Sequence, residues 1–311
     1  MTKDLIKNLR KKDVKTISKL ISSIENEDSG YLDCLSEIHS HIGNAYRLGI
    51  TGPPGSGKSS ITNQLIDQFI KKDYSIAIIA IDPSSPFNGG SILGDRIRFT
   101  NTFKNFDIFF RSMSTRGSQG GLSRSATLVA DVFDASGYDV IIFETVGVGQ
   151  VEIDVIEAAD TIMVTLVPES GDDIQMMKSG LMEIADLYII NKSDRDGSDR
   201  LYNSLNKILE LNKGRDWNPT ITKTCAISGL GIDELSDRII EHRDFIEKND
   251  IKSDKMDERY IKTVKFFITE SLTKKFWNSD KTLNQRLEEE LKTDYKKRLS
   301  SYKIAKELLD R

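Results

Sequence analysis

The chain has 311 residues, 38% of them hydrophobic and 30% charged, and its 44 basic and 48 acidic side chains leave a formal net charge of −4. That length accommodates one large α/β domain with helical additions, or two domains, and supports a sizeable core. The charge balance excludes a general attraction to nucleic acid, and apolar runs such as 76–81 and 188–190 fall far short of a membrane span.

The first apolar residues, Leu5, Leu9, Ile17, Leu20, Ile21 and Ile24, recur at helical spacing, and Leu32, Leu35, Ile38 and Ile42 form a second set. This pattern predicts two helices in an N-terminal extension over 1–44. The chain starts Met1-Thr2-Lys3-Asp4 with no apolar h-region and no Arg-rich stretch, and its two cysteines, Cys34 and Cys225, belong to no motif. Those features predict a reducing, cytoplasmic setting.

From 45 to 248 strand-length apolar runs alternate with helix-like segments. The strands are expected at 46–51, 75–81, 107–111, 139–143, 161–167, 187–190 and 220–226. Near-continuous apolar strands separated by helices mean an α/β fold, a mostly parallel sheet covered by helices on both faces. Ligands of such sheets bind beyond the carboxyl ends of the strands. Past Asn249 the strand pattern stops. A helix with Tyr260, Val264, Phe267 and Leu272 on one side is followed by a stripe of Leu283, Leu287, Leu291, Tyr295, Leu299 and Tyr302. That stripe fits either the core or a partner helix, and it defines a C-terminal helical arm over 249–311.

The first strand runs into Gly52-Pro53-Pro54-Gly55-Ser56-Gly57-Lys58-Ser59, a full G-x-x-x-x-G-K-[ST] phosphate-binding loop, and Ser60 continues into a helix. Glycines let successive backbone N–H groups converge on one anion, and the helix N-terminus adds partial positive charge. The pattern predicts that Lys58 reaches the β/γ-phosphates and that Ser59 ligates Mg²⁺. The ligand is a nucleoside triphosphate.

Three further strand ends carry chemistry. Asp82 opens D-P-S-S-P-F-N-G-G-S-I-L-G-D, ending at Asp95, a segment whose carboxylates, glycines and hydroxyls suit a loop over a metal-phosphate centre. Glu144 begins E-T-V-G-V-G-Q, where a carboxylate can hold Mg²⁺ through water and the Gly147 N–H can sense the γ-phosphate. Asn191-Lys192-Ser193-Asp194 is an N-K-x-D tetrad: the Asp194 carboxylate can accept both N1–H and the exocyclic amine of guanine, Lys192 can lie over the ring, and Asn191 can support the base or tie neighbouring loops. Adenine offers no such donor pair, so GTP is expected over ATP. Backbone N–H groups of Cys225, Ala226 and Ile227, beyond the next strand, are expected to be able to contact the guanine carbonyl oxygen. His39 and His41, two apart on an expected helix, face different directions and do not read as a metal pair.

The blocks G-P-P-G-S-G-K-S, D-P-S-S-P-F-N-G-G-S-I-L-G-D-R, R-G-S-Q-G-G-L-S-R, E-T-V-G-V-G-Q and N-K-S-D occur in an order that resembles the MeaB/ArgK family of P-loop GTPases, the methylmalonyl-CoA mutase-associated proteins. The resemblance covers about Leu32 to Leu235, and one departure is Val151, where the family commonly has Ser. It implies a P-loop NTPase domain of the signal-recognition and metallochaperone (SIMIBI) class over 45–248, and a homodimer formed through the C-terminal arm. It also implies a GTP-dependent chaperone that gates cofactor loading and protection of an adenosylcobalamin-dependent acyl-CoA mutase. The segment 171–178, with Gln175 and Lys178, resembles the family's additional switch loop.

On this reading Ser59 is the principal metal ligand, with Asp82, Asp95 and Glu144 as further candidates for the metal or for positioning water, and Lys58 spreads the charge that develops on the γ-phosphate. Arg96, Arg98 and Arg116 lie in candidate switch segments without a plain arginine finger, so hydrolysis to GDP is expected to be slow alone and stimulated by a partner. The alternatives are an ATPase or protein kinase linked to basic amino-acid transport, a nickel-insertion GTPase, for which no metal-binding tract exists, and a nucleotide-gated scaffold.

Overall fold

A computed structural model of the chain describes residues 4–82, 107–114, 121–145, 147, 154, 156, 158–168, 181–211, 214, 216–279, 281–294 and 297–309. Seven strands form one sheet: β1 (Tyr46–Thr51), β2 (Ile76–Asp82), β3 (Ile108–Ser114), β4 (Val140–Thr145), β5 (Thr161–Leu166), β6 (Leu187–Ile190) and β7 (Thr220–Lys223). Their order is β3-β2-β4-β1-β5-β6-β7, and every pairing is parallel. Among the described residues the α-helices of this part are α1 (Leu5–Arg10), α2 (Val14–Asn26), α3 (Tyr31–Ile38), α4 (Lys58–Lys71), α5 (Gly121–Ala135), α6 (Leu181–Ile184), α7 (Ser198–Leu211) and α8 (Ile232–Lys248).

The central strands are buried at every position, and the period of two decides which face each residue serves. Leu48 and Ile50 of β1, Ile76 and Ile78 of β2, Ile142 of β4 and Ile189 of β6 face α4 and α8, which answer with Ile61, Leu65, Phe69, Leu235 and Ile239. On the opposite face Val164, Leu166, Tyr188 and Ile190 pack with Leu201 and Leu205 of α7. Helix α5 is buried nearly all round, through Ala126, Val129, Ala130, Val132 and Phe133, because it touches the sheet and also α1, α2 and α3.

All seven expected strands form, with shifted ends. β3 runs on to Ser114 because it stays paired with β2 from Ile76↔Ile108 to Asp82↔Ser114. β4 runs through Glu144 to Thr145. β7 stops at Lys223, and Cys225 makes an isolated antiparallel bridge to Leu230 instead of extending it.

The N-terminal pattern predicted two helices, and three are found. The chain turns at Lys12, in the left-handed region at φ 53°, and Asp13 restarts it by accepting the Thr16 N–H at 2.8 Å as the cap of α2. His39 and His41 lie on a 3-10 turn, and no group of three or more metal-ligating side chains occurs among the described residues.

The chain divides into two compact units, 1–255 and 256–311. α9 (Ile251–Ser279) spans the division, and α10 (Lys281–Lys292) and α11 (Ser301–Leu309) follow. Within the second unit Ile304 and Leu308 pack against Phe276, Trp277 and Leu287. The segment that carries the stripe is divided into α10 and α11: Arg298 donates to the carbonyls of Thr293 and Leu291 at 2.9 and 2.8 Å at the end of α10, and Arg286 reaches Glu307 at 3.0 Å. Leu291, Leu299 and Tyr302 remain exposed, as do Tyr260, Val264 and Leu272 of α9. No helix among the described residues is long and apolar enough to cross a membrane.

Candidate functional site

β1 lies where the strand order reverses, with β4 on one side and β5 on the other, so the loop leaving it opens at the crevice where ligands of such sheets bind. This is the loop 52–57, and it leads directly into α4 at Lys58. Gly52, Gly55 and Gly57 take φ of 145°, 76° and 90°, a region closed to most side chains. Two of the three are also enclosed. A Cβ on Gly52 would stand 2.2 Å from the Thr165 carbonyl oxygen of β5, and one on Gly57 would stand 2.2 Å from Asn191 Nδ2.

Lys58 is buried, and its ammonium donates to the carbonyls of Gly52 at 2.6 Å and Pro53 at 3.0 Å, folding the side chain back over its own loop. The Ser59 hydroxyl donates to Glu144 Oε1, which brings together two residues placed by different strands. A hydroxyl and a carboxylate are the hard oxygen donors that a divalent cation such as Mg²⁺ takes, and such an ion usually adds waters and substrate phosphates rather than an all-protein cage. The Thr145 hydroxyl, next in the chain, donates to the Gly147 carbonyl at 3.1 Å and lies 3.2 Å from the Thr51 hydroxyl, tying the start of the E-T-V-G segment to the end of β1.

The N-K-x-D tetrad leaves β6 at the same edge of the sheet. Asn191 is buried and engaged at both ends of its amide: Nδ2 donates to the Ser56 carbonyl at 2.8 Å, while Oδ1 accepts from the Ala226 N–H at 3.1 Å and the Thr224 hydroxyl at 3.2 Å. Of the two roles open to it, tying loops is the one its geometry performs. Lys192 adopts φ 56°, and the Ser193 N–H bonds the Thr224 carbonyl at 2.9 Å. Asp194 is exposed, and the Cys225 thiol, then its own backbone N–H, hold its carboxyl below the ordinary value. A carboxylate so held is ionised and acceptor-only at neutral pH, as two-donor recognition requires.

The 225–228 turn corrects one detail of the sequence reading. The Cys225 N–H is committed to the Leu230 carbonyl at 3.0 Å, and the Ala226 N–H to Asn191. Of the three backbone donors proposed for the base, only that of Ile227 has no acceptor among the described residues, and its side chain is 91% exposed. Gln64 of α4, absent from the sequence reading, donates to the Ala226 carbonyl at 3.0 Å. Neither Gln64 nor Thr165 stands in a motif, and only the fold reveals their proximity.

Lys58, Ser59 and Glu144 are thus brought together, as are Asn191, Asp194, Cys225, Ala226 and Ile227, and Asn191 joins the two groups through Ser56. Asp82 ends β2, and its side chain lies outside the described set. Asp95, the candidate arginines Arg96, Arg98 and Arg116, and the 171–178 segment lie outside the described residues altogether.

Comparison with known proteins gives a concordant result. A family model described as methylmalonyl-CoA mutase-associated GTPase MeaB matches residues 17–281. A Pyrococcus abyssi protein whose name provisionally calls it a GTPase is 44% identical over 273 residues, 86% of this chain and 84% of its own length. The protein named GTPase ArgK of Escherichia coli is 36% identical over 248 residues, covering 76% of this chain and 75% of that one. A crystal structure named LAO/AO transport system kinase superposes with a TM-score of 0.72 at 25% identity, over 99% of this chain and 96% of that one. The chain belongs to the methylmalonyl-CoA mutase-associated MeaB family of P-loop GTPases.

Proposed function

We propose that the chain is a GTP-binding and GTP-hydrolysing chaperone for an adenosylcobalamin-dependent acyl-CoA mutase, gating cofactor loading and protecting the mutase. The observation that carries this reading is the family match over 17–281, whose description names methylmalonyl-CoA mutase. A mouse relative, 35% identical over 201 residues, carries the name methylmalonic aciduria type A homolog, mitochondrial, with 63% of this chain and 48% of that protein covered. A pull-down against cobalamin-dependent mutases, run with GDP and with a non-hydrolysable GTP analogue, tests it. A mutase retained in one nucleotide state and released in the other is expected, and no nucleotide-dependent capture would sink the chaperone role.

In this reading the phosphate loop binds the triphosphate and Lys58 exchanges its grip on the Gly52 and Pro53 carbonyls for the β/γ-phosphates. Ser59 and Glu144 would hold Mg²⁺, with Asp82 and Asp95 as further candidates for the metal or for positioning the attacking water; the ion would supply charge neutralisation at the phosphates. Gly147 senses the γ-phosphate, while Lys192 and Asp194 select guanine. Turnover is slow alone and rises with the partner. Residues 1–44 and 249–311 serve as helical additions to the GTPase domain 45–248, the latter as a homodimer arm.

A second reading, an ATPase or kinase of basic amino-acid transport, has the name of the solved relative in its favour. Asp194 separates the two, because its carboxylate rewards the donors of guanine. Equal affinity for ATP and GTP would favour the second.

A further inference from the structure

The base site rests on a peptide bond that is held from below. In the turn 225–228, the N–H of Ser228 bonds the Cys225 carbonyl at 3.1 Å, and those of Cys225 and Ala226 are committed to Leu230 and Asn191. The remaining N–H, that of Ile227, shares a peptide plane with the Ala226 carbonyl. That carbonyl accepts from Gln64 Nε2 at 3.0 Å, and Gln64 Oε1 lies under the same turn, 3.7 Å from where a Cβ of Gly229 would stand.

No peptide bond among the described residues is cis. In a trans peptide the carbonyl and the N–H point to opposite sides of the chain. Anchoring the Ala226 carbonyl on α4 therefore fixes the Ile227 N–H away from α4, toward the solvent-facing side, where the Ile227 side chain is 91% exposed. Asp194 stands on the neighbouring loop, within hydrogen-bonding reach of the Cys225 thiol. A purine whose N1–H and 2-amino group face Asp194 carries its 6-oxygen next to N1, on the edge that meets this turn.

We propose that Gln64 is a positioning residue for base recognition: by holding the Ala226 carbonyl it aims the Ile227 N–H at the 6-carbonyl oxygen of a guanine nucleotide. The inference rests on the guanine reading of Asp194 and deepens it, since it assigns the third hydrogen bond of the base to one donor and names what orients that donor. It also links the two halves of the site, because Gln64 lies on the helix that opens at Lys58.

The test uses the full chain and three diphosphates. GDP and inosine diphosphate carry the 6-oxygen; 6-thio-GDP replaces it with sulfur, a poor acceptor, while keeping both donors for Asp194. In Gln64→Leu, GDP and inosine diphosphate are expected to weaken about five-fold, the loss of one aligned neutral hydrogen bond, and 6-thio-GDP to weaken less than about two-fold. Gln64→Glu, which cannot donate to a carbonyl when ionised, should repeat the pattern and serves if the leucine variant folds poorly. An equal loss for all three nucleotides would show a merely structural role and overturn the proposal, as would no loss for any. ADP binding as tightly as GDP in the unaltered protein would instead overturn the guanine reading itself, so the two failures are distinguishable.

Discussion

The side-chain amide of Asn191 donates to the Ser56 carbonyl at 2.8 Å, joining residues 135 positions apart. Through its other end the same amide holds Ala226 and Thr224, so one buried side chain couples the phosphate loop to the loop expected to carry the base. Asn191→Ala leaves a buried carbonyl and a buried N–H without partners and is expected to cost about 2–4 kcal/mol of stability. Urea unfolding measures that loss. GDP titration of the same variant should show weaker binding, and an unaltered affinity would mean that the loops keep their places without it.

The glycines of the phosphate loop differ in what surrounds them. Gly52→Ala puts a Cβ 2.2 Å from a backbone oxygen at φ 145°, and it should destabilise by about 3 kcal/mol or more. Gly55→Ala, at φ 76° with nothing within 4 Å, should cost only the left-handed backbone strain, about 1 kcal/mol. Thermal melts of both variants compare them directly, and equal losses would mean that strain rather than the β5 carbonyl governs the loop.

Lys58 and Glu144 should separate binding from turnover. Lys58→Ala is expected to lower GTP affinity at least about ten-fold through lost charge-assisted bonds, whereas Glu144→Gln is expected to keep GDP binding and to lower hydrolysis and its Mg²⁺ dependence. Phosphate release against Mg²⁺ concentration distinguishes them, and a Glu144→Gln protein with normal turnover would remove Glu144 from the metal site.

His242, packed at the start of β5, is expected to make the fold acid-sensitive. It is buried on α8, Nδ1 is 2.6 Å from the Thr161 hydroxyl, and Nε2 is 3.5 Å from Asp186. Burial first, then the Lys255 ammonium, push its pKa from 6.5 to about 3, with Asp160 opposing. A histidine with a depressed native pKa is protonated first in the unfolded chain, so its contribution is complete above the ordinary value and is lost as pH falls from 6.5 toward 3. Between pH 8 and 4.5 the expected loss is about 3 kcal/mol. His242→Gln should remove that part of the pH dependence in urea unfolding, and parallel curves for the two proteins would refute the assignment.

Asp134 carries the approach to β1. Its carboxylate accepts the N–H groups of Gly43, Asn44 and Ala45 at 2.7, 3.1 and 3.1 Å and lies 3.8 Å from Arg47 Nη2. Asp134→Ala strands three backbone donors and a buried guanidinium contact, so a loss of about 3–5 kcal/mol is expected in chemical denaturation. A loss below about 1 kcal/mol would show that water takes over the carboxylate's role.

The sheet was legible in the sequence because strands buried on both faces read as unbroken apolar runs, and runs such as Ile76 to Ile81 have no helical alternative at that length. The break at Lys12 was missed because the apolar spacing of Leu5, Leu9 and Ile17 continues across it; the cap at Asp13 was written in D-V-K-T but competes with that spacing. The division of the C-terminal segment into α10 and α11 is hidden for the same reason, since periodicity cannot report that Arg298 takes up the carbonyls at the end of α10. In the site, Lys58, Ser59 and the N-K-x-D residues announced themselves by local spacing, whereas Gln64, Thr165 and the spent donors of Cys225 and Ala226 depend on contacts between distant segments.

The seam between Ser56 and Asn191 has a consequence for biosynthesis. β1, at the centre of the sheet, pairs first in sequence with β4 and then with β5, and the phosphate loop it launches is complete by residue 59. Its Ser56 carbonyl, however, waits for a partner on β6's far end, and that partner's other hand waits for Ala226 beyond β7. A ribosome-bound chain therefore carries the loop long before it carries the partners that hold it, and the loop is tied in place only once the chain has passed Ala226. Non-local parallel pairings of this kind close slowly, and on the nascent chain the edge of β1 stays open until the strands on both its sides have emerged.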